Sequence, residues 1–273
     1  MLNDLVEILN QIRVKNPLIH QITNYVTVND CANVTLAVGA SPAMADDEAE
    51  VEEFVNIASS LLINIGTLNK NIKNSIIKAV KKANELEVPV VLDPVGVGAS
   101  KFRKDFVEEL LKQTNISSIR GNISEIKSIL NLSSNTKGAD ASKEDLESID
   151  NTVNIAKELA NKLGLVVAIT GEVDVISDGK RVVAIKNGNH LLPQITGTGC
   201  MCSSLVASYC GTSKDKIFEA TILGVITMGI AGEIAYEKSK NSGLGTFHKE
   251  LFNSVGNFNE EILKQKSNFK KIM

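Results

Sequence analysis

The chain has 273 residues, 43% of them hydrophobic, and a formal net charge of −3, so a sizeable buried core is within reach. Aromatics at 4% and no Trp argue against base-stacking nucleic-acid modules, and the slightly acidic balance supplies no basic footprint for a polyanion. No run of 18 apolar residues is present and Met1-Leu2-Asn3-Asp4-Leu5 lacks a basic-then-apolar signal pattern, so a cytoplasmic protein is expected.

In chain order, Leu2, Leu5, Ile8, Leu9 and Ile12 recur at helical spacing. Residues Leu18 to Val28 read as strand and polar loop, and Cys31 to Val38 as a short helix ending at Gly39. The apolar run 61–66 precedes a helix from Lys70 to Leu86, and the run 88–94 closes with Asp93-Pro94. A helix over 101–113 leads to Ser117-Ser118-Ile119-Arg120-Gly121 and then to another helix from about Ile123. The Ser/Asn stretch 131–142 is the longest linker, and a long helix is expected over about 143–163. The run 165–171 follows, then two short strands, Val173 to Ser177 and Arg181 to Lys186, around the hairpin turn Asp178-Gly179. From Cys200 onward the chain reads as helices with short breaks.

Val/Leu/Ile-rich strands separated by helices predict an α/β fold in three layers: a mostly parallel sheet covered on both faces, with one antiparallel hairpin. A single domain over 1–273 is expected. Ligands of such sheets bind beyond the carboxyl ends of the strands, and those ends carry Asp93, Arg120 and Thr170.

Gly197-Thr198-Gly199-Cys200 sets a glycine turn against the start of a helix, whose unpaired N–H groups and dipole favour an anion. Taken alone it is equally an ordinary turn. In the first helical turn the same field favours a Cys200 thiolate. Asp93 suits Mg²⁺ held through water and phosphates, or simply forms a turn. Asn122 and Glu125 have capping-box spacing, and Glu125 could also bear on a metal-bound water. Arg120 offers a forked phosphate contact or lies at the surface, and Thr170-Gly171 offers a hydroxyl and close backbone approach or a strand exit. Asn24 can orient a heterocycle and Met44 can pack on one, although a lone Met is commonly core. With His20, His190 and His248 the only histidines, no Ser-His-Asp constellation can be built. Cys31, Cys202 and Cys210 read as buried packing residues, and the four cysteines fit neither a disulfide framework nor a zinc site.

Together His20-Gln21-Ile22-Thr23-Asn24, Gly39-Ala40-Ser41-Pro42-Ala43-Met44-Ala45, Leu92-Asp93-Pro94-Val95-Gly96, Arg120-Gly121-Asn122, Thr170-Gly171-Glu172-Val173-Asp174 and Gly197-Thr198-Gly199-Cys200 resemble the hydroxyethylthiazole kinase family of the ribokinase-like superfamily. The resemblance spans about residues 17–240. It implies a ribokinase-like fold and ATP-dependent phosphorylation of the primary hydroxyl of 4-methyl-5-(2-hydroxyethyl)thiazole, in thiamine biosynthesis. It puts Asn24, Met44 and Gly197 at the thiazole, Arg120 and Thr170 at ATP, and Asp93 and Glu125 at Mg²⁺. Cys200 would orient the hydroxyl and take its proton late, while the 197–199 amides (Gly197, Thr198, Gly199) carry the anion. The family is usually a homotrimer with thiazole sites at subunit interfaces. Pyridoxal and hydroxymethylpyrimidine kinases, and a repair dehydratase of the same fold, would be expected to carry aspartate where this chain has Cys200. A non-catalytic nucleotide- or thiazole-binding regulator is a further reading.

Overall fold

The computed structural model describes residues 1–132 and 148–273. The chain runs α1 (Leu2–Lys15), β1 (Leu18–Ile22), α2 (Val28–Val38), β2 (Ser41–Ala43), α3 (Val51–Ile57), β3 (Ser60–Asn64), α4 (Lys70–Glu85), β4 (Val90–Asp93), α5 (Lys101–Gln113), β5 (Ser118–Asn122) and α6 (Ile123–Leu132). After the undescribed residues come α7 (Ile149–Leu163), β6 (Val166–Thr170), β7 (Asp174–Ser177), β8 (Val182–Ile185), α8 (Thr198–Thr212), α9 (Ile217–Ser239), α10 (Leu244–Gly256), α11 (Glu260–Lys266) and β9 (Phe269–Lys271). Most of the linker expected over 131–142, and the first residues of the helix expected from about 143, lie outside the described residues.

The strands among the described residues join one sheet in the order β2-β1-β3-β4-β5-β6-β7-β8-β9. Pairing is parallel from β2 to β6 and antiparallel from β6 to β9. Alternate strand residues point to opposite faces, and the packing follows that period. Leu62, Val91, Val166 and Ala168 meet the core formed with α1, α2 and α8–α11, whereas Leu61, Ile63, Val90, Leu92 and Val167 meet the core formed with α3–α7. The three layers expected from the sequence are present.

Local chemistry sets the boundaries. Asn69 caps α4 by accepting from the Asn71 and Ile72 amides at 2.9 and 3.0 Å, and Ser100 and Ser148 cap α5 and α7. The Asp178-Gly179 turn closes the β7–β8 hairpin, with the Asp178 amide bonded to the Arg181 carbonyl at 3.3 Å.

Three elements depart from the sequence reading. Residues 41–43 form an edge strand, Val51–Ile57 forms a short helix, and Phe269–Lys271 adds an antiparallel edge strand where only helices were expected. The edge strands span only three residues each, too short for an alternation signal, and they form by pairing with β1 and β8. Although no uninterrupted run of 18 apolar residues exists, α9 is long and apolar enough by composition to cross a membrane; here its residues are mostly buried against α8, α10 and the sheet.

Candidate active site

Parallel register aligns the carboxyl ends of the strands. Asn64, last in β3, pairs with Asp93, last in β4, and Asn122, last in β5, pairs with Thr170, last in β6. Arg120 is not at a strand end as the sequence suggested; it is the central residue of β5, opposite Ala168.

Asn64 was not singled out from the sequence, and it joins the most partners. Its Oδ1 accepts from Asn24 Nδ2 at 3.0 Å and from the Gly66 amide at 2.9 Å, while its Nδ2 donates to Asp93 Oδ2 at 2.9 Å and Cys200 Sγ at 3.2 Å. Both protons and both lone pairs of the amide are used, which fixes its orientation. The available signal was a polar residue ending an apolar run one strand before Asp93. Asn24 Nδ2 also donates to Cys200 Sγ at 3.3 Å, and Asn24 Oδ1 accepts from the Thr27 amide at 3.1 Å.

Above this network stands the N-terminus of α8. Its cap, Gly197, has φ 89° and supplies no side-chain capping bond, and a Cβ there would fall 2.6 Å from Thr27 Cγ2. Only glycine meets both demands. The Thr198 hydroxyl donates to the carbonyls of Leu192 (2.9 Å) and Ile195 (3.3 Å), so it braces the preceding turn and leaves anion binding to the amides. A Cβ on Gly199 would meet Arg120 Nη1 at 2.7 Å, so the guanidinium lies directly beneath the helix start. Two positive features converge there, a helix N-terminus and an arginine, and both favour an anion.

Cys200 differs from expectation. Burial, and next the charge of Asp93, push its thiol above the ordinary value of 9.0, although the contacts from Thr27, Asn64 and Asn24 work the other way. Burial therefore opposes the thiolate that a helix N-terminus favours. A thiol can orient a hydroxyl but cannot take its proton.

Arg120, Asn122, Thr170, Asp174, Thr198 and Gly199 line a cleft of about 960 Å³ whose other wall is the segment after β8. Arg120 Nε is buried without a hydrogen-bond partner, and Thr170 Oγ1 makes only a long 3.5 Å contact to the Gly121 carbonyl. Asp174 accepts from the Gly171 amide at 2.9 Å, and burial raises it to about 7.

Asp93 is fully buried. Its Oδ2 accepts from Asn64 and from Ser203 Oγ (2.9 Å), while Oδ1 has no hydrogen-bond partner. Burial raises it to about 6, with Arg120 opposing the rise and Glu125 adding to it. Glu125 forms the capping box its spacing suggested: its Oε2 accepts from the Asn122 amide at 2.8 Å, and Asn122 Oδ1 accepts from the Glu125 amide at 2.9 Å. Its Oε1 accepts from the Gly96 amide at 2.9 Å, tying β4's exit to α6. Removing the carboxylate by Glu125→Ala is expected to cost about 1–2 kcal/mol of stability, read from urea unfolding. A loss below about 0.3 kcal/mol would mean that water replaces both bonds.

No group of three His, Cys, Asp or Glu side chains is placed for a metal among the described residues. The donor set nevertheless fits Mg²⁺, which binds through one or two carboxylates and keeps waters and phosphates as its other ligands. The free Asp93 Oδ1 is the oxygen such an ion would use.

Met44 stands apart. It follows β2 at the edge of the sheet, half-buried, and does not line the cleft. His20 is structural: buried, with its pKa lowered by desolvation, and held to the Ala45 carbonyl at 2.7 Å. Cys31, Cys202 and Cys210 are free and buried, as expected.

A helix N-terminus set over the carboxyl rim of a mostly parallel sheet is the anion-binding arrangement of open α/β proteins, and the fold here is ribokinase-like. A solved ribokinase-like superfamily protein from Enterococcus faecalis V583 shares the fold with a TM-score of 0.62 at 12% identity, over 89% of this chain and 87% of that one. The model of the hydroxyethylthiazole kinase family matches residues 9–261, and the chain belongs to that family. It is 53% identical to a hydroxyethylthiazole kinase of Clostridium tetani over 248 residues, 90% of each chain. The solved hydroxyethylthiazole kinase protein of Pyrococcus horikoshii OT3 superposes with a TM-score of 0.90 at 36% identity, covering 99% of this chain and 100% of that one.

Proposed function

We propose that the chain transfers the γ-phosphoryl group of ATP to the primary hydroxyl of 4-methyl-5-(2-hydroxyethyl)thiazole, in thiamine biosynthesis or salvage. The observation that carries this reading is Cys200, held by Asn24 and Asn64 at the N-terminus of α8, beside the Arg120 cleft and the partnerless Asp93 oxygen. It combines an acceptor site, a phosphate cradle and a metal carboxylate at one strand rim.

In this reading the nucleotide occupies the cleft, with Arg120 on its phosphates and Thr170 beside them. The Gly197, Thr198 and Gly199 amides face the transferring group and stabilise charge on its oxygens. Asn24, Gly197 and Met44 bind the thiazole. Phosphoryl transfer depends mainly on positioning and charge stabilisation, so no side-chain base has to lead the reaction. The hydroxyl oxygen bonds to the γ-phosphorus as the bond to the β–γ bridging oxygen breaks. Cys200 orients that hydroxyl, whose proton passes to an oxygen of the transferred phosphoryl group only after the new bond has begun to form. Asp93 would hold Mg²⁺, and Glu125 would face a water of its shell; the ion, when bound, neutralises phosphate charge.

Met44 at the sheet edge suits a site completed by a neighbouring copy, and we read the working form as a cytoplasmic homotrimer of one-domain subunits spanning residues 1–273. Incubation of the purified protein with Mg-ATP and hydroxyethylthiazole is expected to yield the phosphorylated thiazole. Turnover of pyridoxal or hydroxymethylpyrimidine instead, or nucleotide binding with no product, would overturn the reading.

A further inference from the structure

The cleft wall facing Arg120 and Thr170 is the segment after β8, and its anchorage is unusual for a loop. Asn187 is 5% exposed, and its amide makes three bonds to distant parts of the chain. Nδ2 donates to Glu233 Oε1 on α9 and to the Lys266 carbonyl at the end of α11, both at 2.9 Å, and Oδ1 accepts from the Asn268 amide at 2.7 Å. Glu233 Oε1 also accepts from the Gly188 amide at 3.0 Å. The Asn187 backbone lies so close to α9 that a Cβ on Gly229 would fall 2.7 Å from its carbonyl oxygen. Further along the wall, the His190 ring packs edge-on against Tyr236 of α9, centroids 5.4 Å apart.

Phosphates would sit at the other end of the cleft, at Arg120 and the α8 amides, so this wall faces the nucleoside half of the ligand. The floor beside it includes Val225 and Met228, an apolar surface suited to a flat heteroaromatic ring. We infer that Asn187 and Glu233 form a clamp that positions the nucleoside-facing wall, making α9 and the strand-bearing C-terminal segment part of the nucleotide site. The inference rests on the nucleotide reading of the cleft. An ordinary loop would have to be ordered by the ligand at a cost in affinity, and the clamp removes that cost in advance.

A double-mutant cycle tests it, read as the Kd of the fluorescent nucleotide mant-ADP and as KM for ATP against KM for hydroxyethylthiazole. Asn187→Ala and Glu233→Ala are each expected to weaken mant-ADP binding about tenfold and to raise KM for ATP more than KM for the thiazole. The double variant should lose less than the sum of the two single losses, because both changes break the Asn187–Glu233 bond while each also removes contacts of its own. Glu233→Gln keeps the acceptor oxygen for Asn187 and Gly188 without the charge, and should bind within about twofold of the parent. Additive losses, or a Glu233→Gln variant as weak as Glu233→Ala, would overturn the clamp. Should Asn187→Ala fail to fold, Glu233→Ala against Glu233→Gln decides alone. A parent protein that does not bind mant-ADP would sink the nucleotide reading itself, whereas a binding parent with unaffected variants sinks only the clamp.

Discussion

Asp93→Asn is expected to abolish most turnover while making the folded protein more stable above pH 6. The parental carboxylate is fully buried, and one of its oxygens has no hydrogen-bond partner. Burial lifts its pKa from 3.8 to about 6. Between those values the native state holds a proton that the unfolded chain has lost, so stability falls as pH rises through the window. Above pH 6 the full penalty, about 3 kcal/mol, is present. Asparagine carries no charge there, and its oxygen can still accept from Asn64 and Ser203. Urea unfolding of the variant should lack the parental decline between pH 4 and 6 and show higher stability at pH 7.5. Loss of the proposed metal carboxylate should lower kcat by about 10²-fold or more, since a Lewis-acid contact contributes several kcal/mol. A variant that is less stable at pH 7.5, or that keeps a tenth of parental kcat, would contradict this account.

The second large effect concerns Cys200. Its sulfur already faces two amide donors, Asn24 and Asn64, at 3.3 and 3.2 Å. Those donors suit a carboxylate better than a thiol, because charge-assisted bonds are about twice as strong. Cys200→Asp therefore meets a prepared site and places an ionised base where the parent has a neutral thiol. Its kcat at pH 7.5 should equal or exceed the parental value. Cys200→Ala removes the orienting sulfur and should lower kcat by about 10–100-fold, somewhat less than loss of a full general base. Unchanged turnover in the alanine variant would remove Cys200 from the reaction. An aspartate variant slower than the alanine one would show that repulsion from Asp93 outweighs the gain in basicity.

The central strands were legible because buried parallel strands are short Val/Leu/Ile runs, and here glycine, proline or an aspartate marks the ends of β3 to β6. The same punctuation exposed Asp93, Thr170 and Gly197. The capping box at Asn122 and Glu125 was legible from spacing alone, since both halves lie within one helical turn. Asn64 was not: its importance comes from Asn24, Asp93 and Cys200, which lie 40, 29 and 136 residues away. The edge strands β2 and β9 were missed because three residues show no period, and their partners lie elsewhere in the chain.

By itself, the sequence determined the layered α/β fold, the rim on which chemistry gathers, the family resemblance and the glycine turn at 197–199. Each rests on local pattern: apolar runs, caps, turns and the order of short motifs. It took the packed tertiary structure to show that burial pushes the Cys200 thiol up, that Asn64 joins Asn24 and Cys200 to Asp93, and that Asn187 ties a cleft wall to α9 and the C-terminal segment. Desolvation and long-range hydrogen bonding set these properties, and neither is defined until distant segments have packed together.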